Sequence, residues 1–186
     1  SDTENDNIAI GYDAMTTNSA GGEKNVVIGS YAGDAITSGD GNVLVGYHAG
    51  GAINTANDNC AVGQSSMTNV TTGSNNTAFG RRSLYLNQTA TENCAMGHES
   101  LYACVGSYNT TLGFQSGAGV TSGTKNTLMG NLAGNSITTG NNNTVIGYNA
   151  DASAVDVSNE ITFGDGSIAA LRSADQSIAA LSDGRD

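Results

Sequence analysis

The sequence predicts an all-β fold, a parallel β-solenoid (β-roll or β-helix) of about ten 17-residue coils. A glycine returns at near-constant spacing, an asparagine stands four residues before it, and three mostly apolar or small residues lie between them. Asn-x-x-x-Gly occurs at Asn7–Gly11, Asn25–Gly29, Asn42–Gly46, Asn59–Gly63, Asn76–Gly80, Asn93–Gly97, Asn109–Gly113, Asn126–Gly130 and Asn143–Gly147, with a looser copy from Asn159 to Gly164. Successive glycines are 18, 17, 17, 17, 17, 16, 17, 17 and 17 residues apart. Helical repeats need ~33 residues or more, so this period suits a narrow roll whose coils pair in parallel at about 4.8 Å.

Each coil opens with a short strand. The residue before the glycine is bulky (Ile10, Ile28, Val45, Val62, Phe79, Met96, Leu112, Met129, Ile146, Phe163). Two residues earlier stand Ile8, Val26, Val43, Cys60, Thr77, Cys94, Thr110, Thr127, Thr144 and Ile161. Alternation puts both sets on one face, and their bulk predicts that this face points inward. The residue between them (Ala9, Val27, Leu44, Ala61, Ala78, Ala95, Thr111, Leu128, Val145, Thr162) then forms an outward stripe available to identical chains.

A small residue follows three positions after the glycine, as at Ala32, Ala49, Ser66, Ser83, Ser100, Ser116, Ala133 and Ala150. Farther on, Ile36, Ile53, Val70, Cys104, Val120 and Ile137 predict a second strand, and Gly39, Gly73, Gly123 and Gly140 mark the returning turn. Corner glycines suit positive φ or close backbone approach. The recurrent asparagines suit left-handed turn positions and, stacked in register, a side-chain ladder along the axis.

Composition supports stacking over a thick core. The 186 residues include 26 Gly, no Pro and no Trp, with 5% aromatic and 12% charged residues, against ~25% charged in ordinary domains. The formal net charge of −11 with six Lys and Arg opposes nucleic acid and anionic membranes as partners. No stretch approaches the ~18 apolar residues of a membrane span. Cys60, Cys94 and Cys104 have neither disulfide nor metal-ligand spacing and read as small core residues. The opening residues Ser1 to Asp6 read as an excised boundary.

After Gly164 the repeat stops, dividing the chain into a solenoid at 1–164 and a C-terminal segment at 165–186. Ile168, Leu171, Ile178 and Leu181, from two Ser-Ile-Ala-Ala-Leu runs, suit an extended intertwined stalk or a short coiled-coil seam interrupted by Asp175.

The Asn-Thr-x-Ile-Gly-Tyr-x-Ala coil at Asn143 to Ala150 resembles repeats of bacteriophage tail-fibre and tailspike proteins. It is similar too to the heads of trimeric autotransporter adhesins, whose coil is shorter. Asn159-Glu-Ile-Thr-Phe-Gly164, with Ile168, Leu171 and Leu181-Ser182-Asp183, resembles the junction before an intramolecular chaperone auto-processing domain. The resemblance implies a homotrimer assembled by that chaperone, with Ser182–Asp183 at the cleavage position. It further implies an extracellular, virion-borne fibre that joins other tail components and meets a bacterial surface polysaccharide or other receptor. The chain departs from the junction pattern at Gly184, where the family continues with basic residues and Lys-x-Asn-Ile, and Asp183 to Asp186 read as an uncleaved or truncated boundary.

No catalytic constellation is legible: no Ser/His/Asp set, no His-Glu-x-x-His and no phosphate-binding glycine loop. The expectation is a non-enzyme without metal or cofactor, although Glu92 and Glu99 on adjacent coils leave a polysaccharide-cleaving β-helix as an alternative. Recognition is the better fit. Tyr12, Tyr47, Phe114 and Tyr148 follow the corner glycine directly and Tyr31 and His48 come one place later, offering sugar-stacking rings or caps on the roll's edge. Arg81 and Arg82, the one cation pair, suggest a patch for an anionic partner or a neighbouring chain. Ice binding through Thr77, Thr110, Thr127 and Thr144 is disfavoured, since that column is interrupted and expected inward.

Overall fold

The structure, a computed structural model, describes residues 6–17 and 20–168. It is an all-β parallel solenoid of about nine turns with no helix among the described residues. Its strands are β1 (Ile8–Ile10), β2 (Val26–Ile28), β3 (Val43–Val45), β4 (Cys60–Val62), β5 (Thr77–Phe79), β6 (Cys94–Met96), β7 (Thr110–Leu112), β8 (Thr127–Met129), β9 (Thr144–Ile146) and β10 (Ile161–Phe163). They form one ten-stranded parallel sheet in chain order. The register has no slip: Val26 pairs Val43, Val43 pairs Cys60, and so on through Thr144 with Ile161. The proposed cleavage residues Ser182 and Asp183, and the stalk from residue 169 on, lie outside the described residues.

Each strand is held to three residues by its ends. On one side stands a corner glycine at φ of about +140° (Gly29 +137°, Gly97 +143°), a region closed to other residues. Stacking demands glycine there as well, because a Cβ on Gly63 would fall 2.6 Å from the Gly80 carbonyl oxygen of the next coil. On the other side a residue in the left-handed region precedes the asparagine, as at Lys24, Asp58, Asn75, Glu92, Lys125 and Asn142. The left-handed role expected of the recurrent asparagine thus falls on its neighbour.

The sense of the sheet is opposite to expectation. The middle residues Val27, Leu44, Ala61, Ala78, Ala95, Thr111, Leu128 and Val145 are buried, while both flanking columns face outward. Cys60 and Cys94 are therefore half-buried on the outer face, and of the three cysteines only Cys104 is in the core. The thiol of Cys104 is pushed up to about 11 by burial. The threonine column also points outward.

The roll is narrow enough to admit one side chain per strand, and volume is balanced within most coils. Where the middle residue is Val27, Leu44, Thr111 or Leu128, the position four after the corner is glycine; where it is alanine, that position is Met15, Met67, Leu84 or Leu101; in the coil of Val145 it is Asp151. Gly50 shows why: a Cβ there would lie 2.7 Å from Leu44 Cδ2 and 2.9 Å from Ile53 Cδ1. Both residue types share the left-handed conformation, with φ +59° at Gly50 and +48° at Leu84. Leu84 bears the ~1–2 kcal/mol cost of that conformation, which full burial of its side chain offsets.

The expected second strand is absent. Ile36, Ile53, Val70, Cys104, Val120 and Ile137 are fully buried and close the core opposite the sheet, yet they stand on a wall of consecutive turns. The left-handed residue in each coil prevents an extended run. The wall is still tied from coil to coil by backbone bonds, such as Gly33 N–H to Ala49 O at 3.0 Å and Thr37 N–H to Asn54 O at 3.0 Å. Asn87 replaces the wall's apolar residue in one coil and is satisfied locally, its Oδ1 accepting from Ala90 N–H at 2.9 Å.

The expected asparagine ladder runs the length of the stack. Asn76, for example, donates from its backbone N–H (3.0 Å) and Nδ2 (3.1 Å) to Asn59 Oδ1, and from Nδ2 to Ala90 O (2.9 Å). Its own Oδ1 accepts from Asn93. The last rung is Glu160, not Asn159: Asn159 occupies the left-handed position before it.

Candidate functional site

The polar and aromatic residues that chemistry would use lie on the corner following each strand. Residues 17 apart stack there, so each corner position forms a column along the axis.

At the N-terminal end Tyr12, Tyr31, Tyr47 and His48 come together. Tyr31 meets Tyr12 edge-on at 5.4 Å and Tyr47 at 6.0 Å between centroids, and its ring lies 6.2 Å from that of His48. Tyr12 and Tyr47 remain exposed. Nδ1 of His48 and Oδ1 of Asp34 are buried without a hydrogen-bond partner, and both lie beside Gly51.

A second group occupies the middle coils. Arg82 is consumed internally: it pairs with Glu99 at 2.8 Å, donates to the Tyr102 hydroxyl at 2.7 Å, and lies over the rings of Tyr85 and Tyr102 at 5.0 and 4.7 Å. Those two rings are parallel, 5.3 Å apart. The amide of Gln115, donating to Glu99 at 2.9 Å, is the main influence holding that carboxyl below its ordinary range, with Arg82 adding to it. Arg81 is exposed and donates from Nη1 to His98 Nε2 at 3.0 Å. The His98 ring stacks on Phe114 at 5.4 Å and 7°. The expected Arg81–Arg82 patch is therefore divided, one guanidinium tying coils together and the other facing solvent.

Tyr148 is brought near neither group. It lines an apolar depression at the C-terminal end of the sheet with Ile146, Phe163 and Ile168. Glu92 and Glu99 occupy different columns, and the Glu99 carboxylate is bound by Arg82 and Gln115. Among the described residues no cluster of three His, Cys, Asp or Glu could hold a metal, and no helix is long and apolar enough to cross a membrane.

His98, Tyr102 and Gln115 escaped the reading of the sequence as site residues, and Glu99 entered it only as half of a carboxylate pair. The signal was available: Arg82 and Glu99, like Tyr85 and Tyr102, are 17 apart and so must stack.

The largest continuous feature is the outer face of the sheet. Its twenty flanking side chains on ten strands include no charged residue. Small or β-branched residues fill one column, and Phe79, Met96, Leu112, Met129 and Ile146 stand exposed in the other. Comparison of the chain with protein-family models, curated proteins and solved structures finds no match.

Proposed function

We propose that this chain is the shaft of a trimeric bacteriophage tail fibre, a stiff extracellular rod that positions, and contributes to, contact with a bacterial surface. The observation that carries the reading is the uncharged outer face of the sheet. It runs the length of a stack some 43 Å tall, whereas monomers rarely leave so continuous an apolar surface in water. A second copy with the same coil spacing presents side-chain rows at the matching interval. The narrow column of one copy, with Val43, Cys60 and Thr77, receives the broad column of the next, with Phe79, Met96 and Leu112. Repeated around an axis parallel to the stack, such a head-to-tail contact closes into a ring, and three is the number that the tail-fibre resemblance implies. The homotrimer, the virion location and the receptor role also draw on the resemblance of the coils and the Asn159–Gly164 junction to tail-fibre sequences. The chain serves as a scaffold and recognition surface, with no catalytic role and no cofactor.

Rigidity follows from the ladders. Every coil is bonded to the next through its strand, its turn wall and its asparagine, so bending the rod would strain all three together.

Sedimentation velocity tests the reading. An elongated particle of three chains is the expected result; a compact monomer at micromolar concentration would overturn it.

A further inference from the structure

We infer that Arg81, His98 and Phe114 form a binding strip for a carboxylate-bearing saccharide. The inference rests on the proposal that this chain meets a bacterial surface, and it adds the chemistry of the ligand and the residues that take it.

The three residues hold one corner position in successive coils, so they stand in line along the axis at the ~4.8 Å interval of the stack. His98 and Phe114 stack, parallel at 5.4 Å, and Phe114, 44% exposed, presents an apolar ring surface to solvent. Such a surface takes the C–H face of a pyranose. A linear polysaccharide has ring units that repeat on a similar scale, which suits a row of side chains better than a single pocket.

The guanidinium at one end sets the charge of the ligand. Arg82 is occupied by Glu99, Tyr102 and two tyrosine rings. Arg81 is exposed, has no carboxylate partner among the described residues, and makes its one side-chain bond to His98. Its remaining donors suit the bidentate capture of a carboxylate. With a net charge of −11 the chain repels an acidic glycan at distance, so affinity comes from contacts within the Debye length, about 8 Å at physiological salt.

The bond to Arg81 also defines the imidazole. A guanidinium can only donate, so Nε2 of His98 accepts, and the ring proton of this neutral form is assigned to Nδ1. Nδ1 is buried without a hydrogen-bond partner, 4.0 Å from Glu99 Oε2. The charged groups facing the ring are thus Arg81 on one side and Glu99, held by Arg82 and Gln115, on the other.

The test is calorimetric titration of the assembled protein with hexagalacturonate and with its methyl-esterified, neutral form, at pH 7.5. The acidic oligomer should bind and the ester should not. Arg81→Ala should weaken binding about tenfold or more and Arg81→Lys less, with both variants keeping the parent circular dichroism. Equal binding of acid and ester, or an unchanged affinity in Arg81→Ala, would overturn the site. A trimeric rod that ignores the acidic oligomer removes this inference and leaves the shaft standing, whereas a monomer removes the shaft whatever it binds.

Discussion

The backbone N–H of Glu160 donates to Oδ1 of Asn143 at 3.0 Å, filling the place that an asparagine holds in each preceding coil. The Glu160 side chain leaves the ladder and turns to its own coil, accepting from Ser153 N–H at 2.9 Å and from Thr162 Oγ1 at 2.9 Å. The ladder therefore ends at a residue that can accept a rung and offers no amide to continue it.

A mid-ladder asparagine has no such freedom. Asn76→Ala leaves the Asn93 backbone N–H without its acceptor and the Ala90 carbonyl with only the long 3.4 Å bond from Asn87 Nδ2, in a buried place. The expected cost is about 2–4 kcal/mol by urea denaturation. Asn76→Asp should cost more, because a carboxylate would face the Asn59 and Ala90 oxygens to which Nδ2 now donates. An Asn76→Asp variant as stable as the parent would contradict the ladder.

Two carboxylates make stability acid-sensitive. Glu160 is held below its ordinary range chiefly by the Ser153 hydroxyl, then by the Ser153 amide, and Glu99 chiefly by Gln115. A depressed folded-state value means that the contribution is fully present above the unfolded value of ~4.3 and is lost as pH falls through the folded one. Melting temperature should therefore drop between about pH 5 and pH 3. Glu160→Gln should flatten part of that slope; an unchanged slope would remove Glu160 from the account.

The balance of volumes within a coil can be inverted. Ala78→Leu alone crowds Leu84 and should cost about 1–3 kcal/mol. The double substitution Ala78→Leu, Leu84→Gly recreates the pairing of Leu44 with Gly50 and should recover most of that loss. Two penalties that simply add would show that these positions do not share one space.

These pairings also explain what could be read from the chain. The period, the corner glycines and the asparagine ladder were legible because each position demands one residue type: no side chain fits beside the Gly80 carbonyl at Gly63, and only a primary amide both donates and accepts along the axis. The sense of the strand was not. Val26, Val27 and Ile28 are all apolar, so alternation left open which of them faces in, and bulk pointed the wrong way. The deciding signal was the exchange of size between Leu44 with Gly50 and Ala78 with Leu84, six residues apart. Ile36 was correctly a core residue and wrongly a strand residue, since burial in a turn and in a strand leave the same mark on composition. At the corner, the exposed rings were legible as a group, but the capture of Arg82 by Glu99 and Tyr102 required reading down the columns.

The outer face carries the heaviest claim, and light scattering on a charged variant tests it most directly. Leu112 and Met129 are paired neighbours in the exposed column on the outer face of the sheet. The parent protein should scatter at three times the 18.7 kDa chain mass. Leu112→Glu, Met129→Glu should give monomers with unchanged circular dichroism. A parent that is monomeric, or a double variant that stays trimeric, would contradict the account.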